Sequence, residues 1–371
     1  MNEVTIIGGG LAGLSCALQL NKFGIDVTVI ERKKYPIPRV CGEYISNEVL
    51  PYLRSLELDI DSLEPSSLTD LVVTGPNGKA FSQKLDLGGF GLSRTTFEMH
   101  LYKAATARGV RFMLGQKVND ILFQDDHFIL KLDNDEQLLS KIAVAAHGKR
   151  SNIDQKLNRP FFHQRSPYLG VKYHIQLDFP EHIIQLDNFQ GGYCGLCKIE
   201  GDQYSFCYLT ENRHLKTYGS IQAMEEAVLL KNPVLKQHFK HARFLSAKPE
   251  VINEISFERK TLVENHLLFC GDAAGMITPL CGNGMAMALH SGKLLADAIV
   301  ASRNSHGYIR AQLEEQYVNN WNRHFKARLL RGRIIQKCFG NSVLSNLAIG
   351  LLKTSSTLSN LVIKSTHGEV F

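Results

Sequence analysis

The first thirty residues leave this chain few folds to choose from. Val4-Thr5-Ile6-Ile7 is a short β-branched apolar run that stops at three consecutive glycines, Gly8-Gly9-Gly10. Leu11, Leu14, Ala17, Leu18 and Leu20 then recur at helical spacing, and Gly24 ends the helix. Val27-Thr28-Val29-Ile30 reads as a second strand that closes on Glu31. Strand, glycine turn, helix and strand in so short a span form one βαβ unit, the opening of a doubly wound sheet. Gly8-Gly9-Gly10-Leu11-Ala12-Gly13 has the G-x-G-x-x-G spacing. Glycine suits these positions because the backbone turns tightly and must approach a pyrophosphate with no Cβ in the way. The helix start then offers free N–H groups and a partial positive charge to the phosphates. Glu31 stands at the strand end, where a carboxylate can accept hydrogen bonds from ribose hydroxyls. A glycine turn beside a surface glutamate would share these letters. Strand, helix, strand and acid in register point instead to a dinucleotide, without saying which.

The rest of the chain alternates between two patterns. Leu71–Thr74, Pro76-Asn77-Gly78 and Lys79–Leu85 read as a β-hairpin, because Asn-Gly supplies the positive φ angles of a tight turn. A helix is expected over 94–108, then strands near 110–113, 117–123, 127–132 and 141–146. From about 165 to 250 polar and apolar residues alternate, as in an antiparallel sheet with one wet face. Leu267–Cys270 restores a buried strand, followed by a glycine-rich turn and a helix over about 283–302. The last sixty residues read as helices. The expected architecture is α/β: a Rossmann-like domain from 1–70, 91–155 and 255–305, with an interleaved antiparallel sheet domain from 71–90 and 156–254. A C-terminal helical region, 306–371, completes it.

Composition excludes several classes. Hydrophobic residues make up 44% and charged residues 21%, the balance of a folded protein and not of a disordered or fibrous one. No apolar run approaches the ~20 residues of a membrane span. The N-terminus runs straight into a strand with no basic leader, so no signal peptide is expected. Eight Cys, several in apolar segments, suit reduced core thiols and a cytoplasmic setting. The net charge of +6 is uneven: Gln316 to Gly368 holds eight Lys/Arg and no acid, leaving the body near neutral. That argues for a local anionic partner and against a nucleic-acid-binding domain.

Two further segments carry chemistry. In Cys270-Gly271-Asp272 through Pro279-Leu-Cys-Gly282-Asn283-Gly284-Met285, a buried strand ends on an acid and glycines open a helix. The Asp suits a ribityl hydroxyl, and the glycines let backbone N–H groups reach a phosphate or a flavin oxygen. Arg94-Thr-Thr-Phe97 sets an Arg at a helix start.

The βαβ unit, the Arg94 helix, Ala146-His147-Gly148-Lys-Arg-Ser151 and Gly271-Asp272 occur in the order and spacing of the FAD-dependent monooxygenase superfamily. That superfamily has the p-hydroxybenzoate hydroxylase fold and includes aromatic hydroxylases, flavin-dependent halogenases and geranylgeranyl reductases. Pro38-Arg39-Val40-Cys41-Gly42-Glu43-Tyr44-Ile45-Ser46 most resembles the Cys-Gly segment of the geranylgeranyl reductase branch. The resemblance covers about 1–300. It implies a glutathione-reductase-type FAD domain and a substrate cavity between flavin and sheet. It places Gly8, Gly10, Leu11, Ala12, Gly13, Glu31 and Arg32 at FAD, with Arg39, Cys41, Gly42, Arg94 and Val118. His147, Gly148, Gly271 and Asp272 join them, as do Pro279, Gly282, Asn283, Gly284 and Met285. One departure is His147-Gly148 where the family has Asp-Gly. That Asp is linked to pyridine-nucleotide use, so the histidine argues against NAD(P)H as the direct reductant; the transient electron donor is expected to be NAD(P)H or another external reductant.

Cys41 and Glu43 are the candidate catalytic residues. Cys41 could shape the cavity or donate a proton, or be small apolar filler. Glu43 could be a general acid, or a solvated loop carboxylate. No metal is expected: Cys194-x-x-Cys197 lacks a second pair at zinc spacing, and suits cavity walls or core. Tyr193, Tyr204, Phe206 and Tyr208 could face substrate or pack an ordinary sheet. The only Trp is Trp321, so the paired-Trp signature of tryptophan halogenases cannot occur. The tail Trp321–Leu352 mixes basic with apolar residues, which suits a helical cap, or a peripheral surface for anionic membrane. The expected activity is reduction of C=C bonds in an apolar, isoprenoid- or polyketide-like substrate by hydride from reduced FAD. The alternatives are a monooxygenase acting on an aromatic ring through a C4a-hydroperoxyflavin, and a flavin-binding protein without turnover.

Overall fold

The computed structural model describes every residue except Arg165, His306, Gly340 and Ser355. Its opening unit is β1 (Asn2–Ile7), α1 (Leu11–Lys22) and β2 (Val27–Glu31). β1 and β2 are parallel, with Val4 beside Val27 and Ile7 beside Ile30. The chain crosses to a second sheet as β3 (Tyr44–Ser46), turns through α2 (Leu50–Ser55), and forms the hairpin β4 (Ser66–Thr74) and β5 (Ala80–Gly91). Gly78 has φ of 78°, but Asn77 is not at positive φ, so the strands are joined by a longer loop over 75–79 and not by the two-residue Asn-Gly turn expected. α3 (Arg94–Ala107), capped by the Ser93 hydroxyl, leads back to the first sheet. There follow β6 (Arg111–Leu114), β7 (Val118–Gln124), β8 (His127–Leu132), β9 (Gln137–Ala145) and α4 (Asn152–Lys156).

β10 (Tyr168–Gln176), β11 (Ile183–Phe189), β12 (Gly192–Lys198) and β13 (Tyr204–Glu211) form the antiparallel region. The alternation expected to run on to 250 breaks here. α5 (Asn212–Tyr218), α6 (Ile221–Val228) and α7 (Pro233–His241) intervene. Ser220 caps α6, and Asn232 caps α7 with Pro233 in its first turn, which are helix-start signals. Met224, Val228 and Leu235 from these helices pack on Tyr204, Phe206 and Tyr208. β14 (Arg243–Phe244) and β15 (Glu250–Ile255) rejoin the sheet, and β16 (Val263–Glu264) and β17 (Leu267–Phe269) return to the first. α8 (Gly284–Ser302), α9 (Arg310–Phe339), α10 (Ser342–Thr354) and α11 (Ser356–Thr366) complete the chain.

Two sheets organise the described residues. In the first, β17, β9, β1, β2 and β6 run parallel, with β7 and β8 as a hairpin beside β9. In the second the order is β14, β10, β13, β12, β11, β4, β5, β3, with β15 also on β10. Tyr44–Ser46 and Ser66–Asp70 therefore pair into the second sheet, although the sequence places them in the segment 1–70. α1 lies between the first sheet and α8 with Leu11 through Leu20 buried. The two helices approach closely at Gly292, where a Cβ would sit 2.4 Å from the Ala12 carbonyl oxygen. Trp321, Phe325 and Leu329 bury one face of α9 in the same core, so this part of the tail is a packed cap.

Candidate cofactor cleft and adjoining cavity

The glycine turn is built for close backbone packing. A Cβ on Gly13 would lie 2.0 Å from the Gly8 carbonyl oxygen, and Gly8 itself has φ of 111°. At Gly10 the situation is the opposite. A Cβ there would meet only side-chain ends: Glu98 Oε1 at 3.6 Å, Arg94 Nη2 at 3.7 Å and Arg39 Nη2 at 3.9 Å. α1 begins with no side-chain cap at Gly10, so two guanidinium groups and uncapped N–H donors share one gap. Glu98, fully buried, aims both arginines: its carboxylate accepts from Arg94 Nε at 2.7 Å and from Arg39 Nε at 3.2 Å.

Asp272 belongs to the same cleft. Gly271 sits directly on α1, its hypothetical Cβ 2.6 Å from Ala12 Cβ, and its N–H donates to Ser291 Oγ. Burial raises the Asp272 pKa, opposed by the charges of Lys260, Arg94, Lys149 and Arg39. Glu31 is buried and accepts from Gly9 N at 2.9 Å and Lys33 N at 3.0 Å. Two hydrogen bonds leave further lone pairs on that carboxylate. Arg32 beside it is exposed. Val118 is buried at the start of β7, and its carbonyl accepts from Asn152. Gly282 adopts φ of 65° before α8, which starts at Asn283 without a side-chain cap and places Gly284 and Met285 in its first turn.

His147 is held inward. Its Nε2 lies 3.1 Å from Asp154 Oδ2, and Asp154 also pairs with buried Arg159 at 2.8 Å. Burial depresses the His147 pKa, with partial opposition from Asp154, which keeps the ring neutral at pH 7. The ring therefore packs inward beside the Gly148 turn. Cys194 and Cys197 point to opposite faces of β12 and join different apolar clusters, so they do not form one ligand set. Of the four aromatic residues, Tyr204, Phe206 and Tyr208 pack under α6 and α7, and Tyr193 packs against Leu280 of the 279–284 turn.

The Cys41-Gly42-Glu43 loop crosses the second sheet. Ser205 Oγ donates to the Cys41 carbonyl, and the Cys197 thiol to that of Gly42. Burial raises the Cys41 pKa, only partly offset by Arg94, so it is a thiol at pH 7. Glu43 is not a solvated carboxylate: it is fully buried, with φ of 59°. It accepts from Arg94 N at 3.0 Å, Lys172 Nζ at 3.0 Å and His174 Nε2 at 2.7 Å. Burial works to raise its pKa, but the bond from His174 and the charge of Lys172 outweigh that and hold it low. Glu43 is thus an ionised anchor and not a proton donor at neutral pH.

Beyond the 279–284 turn lies a cavity that sequence reasoning did not locate residue by residue. Leu71, Val73, Phe81, Ile184 and Leu186 of the sheet form its floor, and Ile335, Leu352, Val362 and Ile363 of α9–α11 its roof. Leu280, Cys281 and Gly282 close its inner end. It is open at its mouth and has a cavity volume of about 90 Å³, below the ~300–1,000 Å³ of drug-sized ligand sites, so a long chain would fill it only with the roof helices moved outward.

Comparison with known proteins identifies the family and the fold. The family model described as FAD binding domain matches residues 1–320. A digeranylgeranylglycerophospholipid reductase from Methanosphaera stadtmanae is 24% identical over 341 residues, 85% of this chain and 79% of that protein. A geranylgeranyl bacteriochlorophyll reductase-like structure from Thermoplasma acidophilum superposes with a TM-score of 0.80 at 17% identity, covering 98% of this chain and 95% of that one. The flavin-dependent brominase Bmp2 gives 0.79 at 19% identity, covering 98% and 93%. Both structural likenesses speak to the fold alone. The uncapped α1, the two arginines over Gly10 and the acids Glu31 and Asp272 beside it fit a dinucleotide cofactor of the FAD kind.

Two outcomes follow. Arg94→Met removes a charged donor from the Gly10 gap, where such bonds contribute about 1.5–3 kcal/mol. FAD affinity, read by flavin fluorescence titration, should fall about ten- to hundredfold. Glu43 and Asp154 both titrate lower in the folded state. Their stabilisation is complete above the unfolded carboxylate pKa of about 4 and is lost as pH falls through the lower folded values. Urea midpoints should therefore drop steeply below about pH 4, and Glu43→Gln, destabilised at pH 7, should show a shallower acid limb.

Proposed function

The chain belongs to the FAD binding domain family, and on that premise we propose that it is an FAD-dependent reductase of isoprenoid C=C bonds carried on a lipid. The cavity carries this reading. Its floor and roof are aliphatic and aromatic side chains, and it ends at the Gly282 turn expected to face the flavin. An aromatic hydroxylase needs polar groups to fix a phenol, whereas a prenyl chain needs length and apolar walls. The lipid reductase name of the Methanosphaera relative supports the same substrate class.

The protein's part is positioning. The α1 start with Arg39 and Arg94 would hold the diphosphate, Glu31 the adenosine ribose, and Asp272 the ribityl hydroxyls. Bound flavin, once reduced by an external donor, supplies hydride. Glu43 keeps the Cys41-Gly42 loop against the sheet, and the roof helices exclude water from the cavity. Cys41, a protonated thiol, lies outside the cavity lining and serves here as a wall of the cofactor side.

The roof also offers a route for an apolar substrate. Leu330 and Ile334 of α9 and Val343, Leu344, Leu347 and Leu351 of α10 are exposed, as are Arg331, Lys337 and Lys353. Basic and apolar residues on one outer face suit an anionic bilayer surface. No helix among the described residues is long and apolar enough to cross a membrane.

The reaction test is anaerobic: FAD-loaded protein, reduced with dithionite and freed of excess, is mixed with digeranylgeranylglycerophospholipid. Flavin reoxidation with products gaining two hydrogens per double bond is expected by mass spectrometry. No reoxidation, with an oxygenated or halogenated ring product in air instead, would sink the reading. For the surface, co-flotation with phosphatidylserine vesicles should weaken in high salt and in Leu347→Glu. Equal flotation with neutral vesicles at all salt concentrations would contradict it.

A further inference from the structure

We propose that the Tyr44 hydroxyl, backed by His367, is the proton donor that the cavity offers to its substrate. This rests on the reductase reading above, because a C=C bond that takes up hydride at one carbon needs a proton at the other. The cavity has few candidates for that proton. Besides Tyr44, its lining holds Cys281, Thr366 and His367 as the side chains with a polar hydrogen or lone pair. Thr366 donates its hydroxyl to the Ile363 carbonyl at 2.8 Å. Cys281 Sγ shares a hydrogen with Thr278 Oγ1 at 3.3 Å.

Tyr44 is placed where cavity and cofactor turn meet. Its ring lies between two glycines: a Cβ on Gly282 would be 3.3 Å from Tyr44 Cδ1, and one on Gly89 would be 2.4 Å from Cε2. Gly282 belongs to the turn that opens α8, and Gly89 to β5, so the missing side chains on both sides make room for the ring. Its hydroxyl is 3.4 Å from the Gly88 carbonyl and 3.4 Å from His367 Nε2. Both distances are at the long end of hydrogen bonding, a length compatible with a catalytic bond before substrate is bound. The other ring nitrogen of His367 faces the Ile363 carbonyl at 3.0 Å, which makes Nδ1 the donor and leaves Nε2 toward Tyr44.

His367 reaches the outside. It is half-buried at the end of α11, and the segment after it is pinned. Gly368 N donates to Glu48 Oε2 at 2.6 Å, and the Phe371 ring stacks on His290 at 3.9 Å. Glu48 also accepts from Asn283 Nδ2 at 3.2 Å and from Arg328. The charged groups around the imidazole are therefore Glu48 from the turn after β3 and Arg328 from α9, with Tyr44 facing it from β3. Burial depresses its pKa, opposed by the Ile363 bond and Glu48.

The balance closes without further reactants. Hydride from reduced flavin carries two electrons to one alkene carbon. The Tyr44 O–H bond breaks, and its proton forms the C–H bond at the other carbon. The tyrosine oxygen takes a proton from Nε2 of a transient His367 imidazolium, which solvent replenishes. The product is the saturated carbon pair and oxidised flavin.

The test uses the full FAD-loaded chain and its Tyr44→Phe and His367→Ala variants. Flavin content and binding of digeranylgeranylglycerophospholipid micelles are measured first, and both should match the parent in Tyr44→Phe. Anaerobic reoxidation of the reduced flavin by that lipid should then slow about 10²- to 10⁴-fold, the usual contribution of a general acid. His367→Ala should slow as well and recover with added imidazole. Without substrate, 15N-histidine NMR should show the His367 titration displaced in Tyr44→Phe. Parent-like reoxidation in Tyr44→Phe would overturn the assignment, and so would a defect confined to FAD or lipid binding, or an unmoved His367 titration. Failure of the parent itself to be reoxidised would instead remove the reductase reading, and the relay with it.

Discussion

A buried carboxylate ties α3, the helix over the glycine turn, to the second sheet of this protein. Glu43 has lost its water and accepts hydrogen bonds from three directions: the first N–H of α3, Lys172 and His174. Each donor belongs to a different requirement. The Arg94 N–H fixes the helix that carries Arg94 and Glu98 to the glycine turn. Lys172 and His174 lie on β10, in the second sheet, and Lys172 also donates to the Arg39 carbonyl at 3.0 Å. An ionised group so enclosed is costly unless every partner is in place. The loop 39–43 is thus placed relative to α3 and the second sheet at once, and the cleft beside the glycine turn inherits that geometry.

The segment that begins with this loop continues the same function in order. Arg39 reaches the Gly10 gap, Glu43 locks the loop, and Tyr44 borders the apolar cavity. Glu48 gathers Asn283, Arg328 and Gly368 around a second buried carboxylate. Ten residues therefore connect the cofactor turn, the sheet floor and the helical roof. The roof is the less constrained partner, with one face of α9 in the core and α10 showing leucines outward.

What could be read from the letters alone was local. The glycine turn, the hairpin at Asn77-Gly78 and the start of α3 depend on residues within a few positions of each other, and each lies where its pattern says. The helices over 212–241 interrupt the expected alternation: Met224, Val228 and Leu235 are spaced by four and seven, a helical interval that short segments make hard to separate from a strand pattern. The signals that could have separated them were Ser220 and the Asn232-Pro233 pair. The burial of Glu43, which is neither of the two roles its loop position suggests, is invisible in sequence because its partners lie 51, 129 and 131 positions away. The cavity was anticipated only as a space between flavin and sheet. Its walls come from β4, β5, β11 and the last three helices, and no pattern in any one of them announces a shared pocket. Tyr44 and His367 are separated by 323 positions, beyond the reach of any spacing rule.

The central claim is that one cavity brings an isoprenoid chain to the cofactor turn. A crystal structure of the FAD-loaded protein with digeranylgeranylglycerophospholipid tests it most directly. The account places a prenyl chain between Phe81 and Ile184 on one side and Ile335 and Val362 on the other, with a double bond against the Gly282 turn beside the flavin ring. A lipid chain seated elsewhere, or a flavin bound away from Gly282, would contradict it.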